Sequence, residues 1–198
     1  MRRRTLLITL GATLASACGE AIDRQARGGA APVPVTVLGE DLAALKTAFN
    51  AAQSKVRLLF IAGPSCGPCL RGLMELNEAL GADLLSDQRL STLVVHVPTL
   101  GAQQHHAERA AQLLHGGNVT HYWDPSGKSG EAVMEALAIA PIYAWDVWLI
   151  YPPGDTWDAS APPAPAHWMH QLGQLPRETR LDPEAFAADV RARVEQLA

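Results

Sequence analysis

The sequence predicts an α/β domain built on a mixed sheet, and three observations carry that prediction. The runs Lys55–Ala62 and Leu93–Val97 are almost continuously apolar, as buried strands of a parallel sheet are. Stretches with helical spacing alternate with them, and Leu70, Leu73, Leu76 and Leu80 form the clearest apolar face. The aromatic, β-branched run Tyr143–Tyr151 leads into Pro152-Pro153-Gly154-Asp155, a strand entering a turn. With 198 residues, 48% hydrophobic and 18% charged, the chain has the size and composition of one globular domain plus a targeting segment.

The targeting segment comes first. Arg2, Arg3 and Arg4 make a positive start, and Leu6–Ala17 is apolar but too short to span a bilayer comfortably. Ala15-Ser16-Ala17 offers the small residues a signal peptidase needs, and residues 1–17 therefore read as an export signal. Leu14-Ala15-Ser16-Ala17-Cys18 resembles a bacterial lipobox with its leucine one place further upstream. It implies lipid attachment at Cys18, with plain cleavage after Ala17 as the alternative. The arginines before Leu6-Leu7 also loosely resemble a twin-arginine signal. Cleavage removes three arginines and no acids, leaving 13 basic against 20 acidic residues, a formal charge of −7. No basic patch survives for a nucleic-acid partner. Residues 18–34, with Gly28-Gly29-Ala30-Ala31-Pro32, read as a flexible spacer, and residues 35–198 as the domain.

Within the domain, Val35–Leu38 reads as a short strand, and Asp41 caps a helix reaching Gln53 with Leu42, Leu45 and Phe49 on one face. The Lys55–Ala62 strand and the Leu70–Leu80 helix follow, then the Leu93–Val97 strand. A helix is expected over Ala102–His115, stopped by Gly116-Gly117. Val119–Trp123 is a further strand closed by Asp124-Pro125-Ser126-Gly127, and about Gly130–Ala138 is helical. The strand Tyr143–Tyr151 turns toward Thr156-Trp157 like a hairpin, residues 158–167 form a Pro/Ala-rich loop, and Trp168–Leu172 returns as an edge strand. Asp182-Pro183-Glu184 opens a last helix with Phe186, Val190, Val194 and Leu197 facing inward.

The chemistry sits between the second strand and its helix, at Cys66-Gly67-Pro68-Cys69. The free N–H groups and positive dipole end of a helix N-terminus favour thiolate over thiol, and Pro68 fixes φ where its missing N–H costs little. Cys66 is the expected exposed nucleophile and Cys69 the resolving thiol. Zinc needs about four ligands, and no second Cys-x-x-Cys or nearby His pair supplies them. This motif in its strand–helix context resembles the thioredoxin superfamily, and the element order β-α-β-α-β-α-β-α-β-β-α resembles a thioredoxin-like fold. The central mixed sheet is flanked by helices, with one strand–helix insertion before the hairpin. That insertion is typical of envelope members such as the membrane-tethered TlpA-type reductases of cytochrome c maturation. Peroxiredoxins share it but carry a different cysteine motif.

The resemblance implies a thiol–disulfide oxidoreductase, without cofactor, that acts on disulfide or thiol proteins of the cell envelope or periplasm and is fed by a membrane electron donor. Gly-Pro between the cysteines goes with reducing members. The resemblance also implies that Pro141, 75 residues after Cys66, is the family's cis-proline and that Ala140 and Ile142 line a groove for an extended substrate segment. Two departures stand out. Ser65 precedes the motif where thioredoxins have Trp, and Phe60 stands where thioredoxins bury an Asp that helps move protons at the second cysteine. Rapid general disulfide reduction is therefore not expected. Glu75 is the acid of the active-site helix, and its spacing turns it to solvent.

Other polar residues have plainer readings. His105 and His106 fit a solvated helix face, His115 a helix C-terminus, and His96 and His121 hydrogen-bonded strand positions. His167, Met169 and His170 around Trp168 suggest an alternative, a soft Cu(I) site completed by the two thiols of a metallochaperone. A non-catalytic interaction domain stapled by the disulfide is a third reading. Trp145, Trp148, Trp157 and Trp168 fit core and hairpin packing. Asp146, inside the aromatic strand, must face solvent, pair, or lie near the dithiol.

Overall fold

The computed structural model describes residues 32–197; the expected export signal, Cys18 and nearly all of the expected spacer lie outside the described residues. The strands are β1 (Val35–Val37), β2 (Val56–Ala62), β3 (Leu90–His96), β4 (Val119–Trp123), β5 (Asp146–Tyr151) and β6 (His167–His170). The helices are α1 (Ala43–Ala51), α2 (Gly67–Leu84), α3 (Gln104–Ala110), α4 (Lys128–Ala136) and α5 (Pro183–Glu195). One six-stranded sheet runs β1-β4-β3-β2-β5-β6. Strands β1, β4, β3 and β2 run parallel to one another, whereas β5 is antiparallel to β2 and β6 is antiparallel to β5. This is the element order expected from the sequence, with β4 and α4 as the strand–helix pair before the hairpin.

Every residue of β2 is buried, because both faces of the sheet are covered. Leu58 and Phe60 point into a core with α2 and α5, whereas Leu59 and Ile61 point into a second core that includes Leu45, Phe49 and Val133 of α1 and α4. Arg57 at the strand's start is also buried, its guanidinium donating to the carbonyls of Pro152 and Asp155 and lying 4.3 Å from the Phe49 ring centroid. These bonds tie the turn after β5 to the centre of the sheet.

Several boundaries differ from the sequence reading, each for a local reason. The α1 cap is Leu42 in left-handed conformation, and Asp41 accepts only one bond, from the N–H of Ala43. Helix α3 is shorter than expected because the chain passes into a 3-10 turn at Ala111–Leu113. Strand β5 starts at Asp146 rather than Tyr143, since the Tyr143 hydroxyl donates to the carbonyl of Gly127 and draws that segment toward α4. Thr156-Trp157 forms no strand; the hairpin partner of β5 is β6, joined by the long loop 152–166. In that loop Trp157 packs edge-on against Phe49 at 5.9 Å, and its backbone N–H donates to Asn50. Helix α5 starts as expected, with Asp182 accepting from the N–H of Ala185.

Candidate active site

Strand β2 ends at Ala62, the chain turns through Gly63-Pro64-Ser65, and Cys66 becomes the N-cap of α2 in extended conformation. Cys69 lies in the first helical turn, fully buried beneath it. Helix α2 is held flush on the sheet at Gly72, where a Cβ would come within 2.7 Å of the Trp148 ring and 2.8 Å of Gln171. Further along, Gly81 breaks the helix at φ 76°, and Arg191 donates to the freed carbonyls of Ala79 and Leu80. Glu75 is exposed, as its spacing implied.

Both thiols are free, and Cys66 is only 6% exposed, less open than the sequence suggested. Thr99 and Trp145 pack against the turn that carries it. The Ser65 hydroxyl donates to the carbonyl of Thr99 at 3.1 Å, and Thr99, Trp145 and the Cβ of Cys66 all crowd Gly63 so closely that a side chain there would collide. Cys69 donates to the carbonyl of Trp145 at 3.6 Å.

Asp146 completes the cluster. It is the first residue of β5, paired with Ala62 at the end of β2, so its carboxylate arrives beside the dithiol from the neighbouring antiparallel strand. The two sulfurs and a carboxylate oxygen of Asp146 all lie within 4.8 Å of one another. Asp146 is 2% exposed, and its Oδ1 has no hydrogen-bond partner. Burial raises its pKa to about 7, opposed by the hydrogen bond with Cys69. Burial also pushes the Cys69 thiol up, with the Asp146 charge and Cys66 adding to the rise. Phe60 is an apolar core residue, its ring 5.1 Å from Trp148 and 5.8 Å from Phe186.

The Ala140–Pro141 bond is cis. Pro141 borders two cavities. One, of about 410 Å³, is rimmed by Thr99, Leu100, Ile142, Tyr143 and Trp145, of which Thr99 and Trp145 also crowd the dithiol turn at Gly63. The other, of about 760 Å³, reaches Ala140 and carries Glu40, Asp41, Lys46 and Glu135. The two residues flanking Pro141 thus face different hollows.

No protein-family model and no curated protein matches this sequence. Solved structures similar to it include a secreted disulfide oxidoreductase of Mycobacterium tuberculosis, described as homologous to E. coli DsbE. That likeness has 12% identity and a TM-score of 0.41, covering 72% of this chain and 84% of that one. A thiol:disulfide interchange protein of the thioredoxin family from Chlorobium tepidum TLS is similar at 9% identity and a TM-score of 0.45, covering 84% of this chain and 99% of that one.

The remaining residues singled out by type sit elsewhere and are engaged. His167 Nδ1 pairs with Asp189 of α5 at 2.6 Å. Met169 Sδ accepts from the N–H of Asp182. His170 Nδ1 accepts from the N–H of Leu172, and its Nε2 lies 2.9 Å from both the Pro176 carbonyl and the Thr179 hydroxyl. The structure therefore does not bring these three side chains together with the thiols as one ligand set. His96 and His121 are buried and stacked, with His96 Nε2 donating to His121 Nδ1 at 3.1 Å and His121 Nε2 donating to the Leu114 carbonyl. Among the described residues no helix is long and apolar enough to cross a membrane.

Proposed function

We propose that this chain is an exported thiol–disulfide oxidoreductase working mainly as a reductase in the cell envelope. The observation that carries the reading is the dithiol itself, with Cys66 capping α2 and Cys69 sealed one turn below it. Cys66 as thiolate attacks one sulfur of a substrate disulfide and releases the other as a thiol. Cys69 then loses its proton and attacks the Cys66 sulfur, so the protein disulfide forms and the substrate leaves reduced. The Asp146 carboxylate lies within reach of that proton. The groove at cis Pro141, Ile142 and Trp145 offers an apolar bed for the extended segment carrying the substrate disulfide.

Export rests on residues 1–17, anchoring on a lipid at Cys18, and the spacer of residues 18–34 gives the domain its reach. An oxidising compartment then requires a membrane donor of electrons. The net charge of the mature part speaks against nucleic acid as a partner.

The test is the reduction potential, measured by equilibration with dithiothreitol or glutathione and trapping of Cys66. A value at or below about −250 mV supports the reductase, and one near about −120 mV reverses the direction to an oxidant. Absence of exchange with any small disulfide removes the reading altogether.

A further inference from the structure

Three groups that can each carry a negative charge meet at the N-terminus of α2 and the start of β5. Their ligand atoms come within 4.8 Å of one another, and among the described residues no lysine, arginine or histidine pairs with any of them. The Oδ1 of Asp146 is buried and lacks any partner, although a buried carboxylate oxygen ordinarily has one. Deprotonated together, these groups would repel in a low-dielectric site. What the arrangement lacks is a compact positive charge.

We propose that the reduced chain binds one thiophilic divalent cation of the Zn²⁺ type on Cys66 Sγ, Cys69 Sγ and an Asp146 carboxylate oxygen. This site is separate from the exchange reaction in chemistry but shares its two sulfurs, and it depends only on their being reduced. Zinc takes thiolates at about 2.3 Å and carboxylates at about 2.0–2.2 Å in tetrahedral geometry, which sets two sulfurs about 3.8 Å apart. The observed cluster therefore needs side-chain movements of about 1 Å or less to close on a metal. Three protein donors leave the fourth position for water, the pattern of an open zinc site. The donor set also chooses the metal, since borderline-soft Zn²⁺ takes a carboxylate oxygen alongside thiolates, whereas Cu(I) is selected by soft thiolate and thioether ligands and gains little from a carboxylate.

Metal and disulfide then exclude each other. When a substrate disulfide R–S–S–R takes two electrons from the two protein sulfurs, their S–S bond forms and both metal–sulfur bonds break. Two R–SH leave with protons from solvent, and Zn²⁺ is released unchanged.

The experiment titrates the full chain with Zn²⁺ against a chromophoric chelator, in reduced and disulfide forms, with Cd²⁺ used to read sulfur-to-metal charge transfer. The expected result is one equivalent bound by the reduced chain and none by the disulfide. Cys69→Ser loses the site, and Asp146→Asn weakens it by about 10-fold or more, with Asp146→Glu recovering most of the affinity. Asp146→Ser serves if the asparagine variant does not fold. The inference is overturned if the reduced chain binds no stoichiometric metal, or if folded Asp146 variants without a carboxylate bind as tightly as the parent. Disulfide exchange measured with a chelator present separates the two readings. Metal binding without exchange keeps this site and removes the oxidoreductase, and exchange without metal binding does the opposite.

Discussion

Two sets of soft and titratable side chains lie on neighbouring parts of the sheet, and they differ in availability rather than in residue type. His167, Met169 and His170 on β6 are the richer set on paper, yet each already holds a partner in α5 or in the 171–182 segment. Cys66, Cys69 and Asp146 are each at most 6% exposed, yet one Asp146 carboxylate oxygen is unpaired, and outside the cluster itself Cys69 makes only a weak sulfur bond to the Trp145 carbonyl. A residue whose hydrogen bonds are all spoken for is structural, whatever its chemistry permits. Groups left without partners in a dry place cost stability, and chemistry is the usual reason such a cost persists.

The largest expected effects come from the dithiol itself. Cys66→Ser is expected to bring disulfide exchange down to the uncatalysed background, and Cys69→Ser to leave a stable mixed disulfide on Cys66, visible by mass spectrometry. Neither change should disturb folding greatly, because serine is close in size to cysteine. If Cys66→Ser keeps exchange activity, the availability argument fails at its centre.

His170→Ala should do the reverse, sparing exchange and costing stability. It strips the Leu172 N–H and the Pro176 carbonyl of a buried partner, a loss of about 2–3 kcal/mol by thermal or denaturant unfolding. Equal loss of exchange activity in the folded variant would show that β6 takes part in the chemistry after all.

A third buried pair, His96 with His121, tests the structural side by pH. Burial, and for His96 also the charge of its partner, lowers the folded pKa values to about 3 for His96 and about 4 for His121. Below the ordinary histidine value of about 6.5 the unfolded chain therefore binds protons that the folded chain does not. The pair's contribution is whole above that pH and is lost as pH falls toward 4, at about 1.4 kcal/mol per pH unit for each histidine. Unfolding curves from pH 7 to 4.5 should show this slope, and His121→Gln should flatten it.

How much of this was legible beforehand follows from distance along the chain. The dithiol and its place at a helix start are local, so Cys66-Gly67-Pro68-Cys69 and the leucines after it were sufficient. The strand–helix insertion showed in the order of apolar runs. Asp146 is 80 residues from Cys66, and its role depends on the register that sets it opposite Ala62. Apolar periodicity placed the strand's start three residues early, which hid that register. The packing of Thr99 on the dithiol turn was equally hidden, since the Ser65–Thr99 bond joins two turns by their backbone and hydroxyl groups, with no pattern in either segment. In the same way, His170 looked like a ligand because its three partners come from backbone and threonine atoms that no spacing announces.

The smallest expected effect belongs to His167, and its smallness is informative. Its side chain is 37% exposed, and Asp189 is also held by Arg193 at 2.7 Å, so removing the imidazole leaves the carboxylate paired. A half-exposed ion pair of this kind contributes about 1 kcal/mol or less. His167→Ala should therefore lower stability by no more than that, leave the exchange rate within experimental error, and leave Zn²⁺ affinity of the reduced chain unchanged. A drop in metal affinity here would move the cation from the dithiol–Asp146 cluster toward β6. It would also show that a histidine already paired with an acid can still be recruited, which is the one result that would blur the distinction between the two sets.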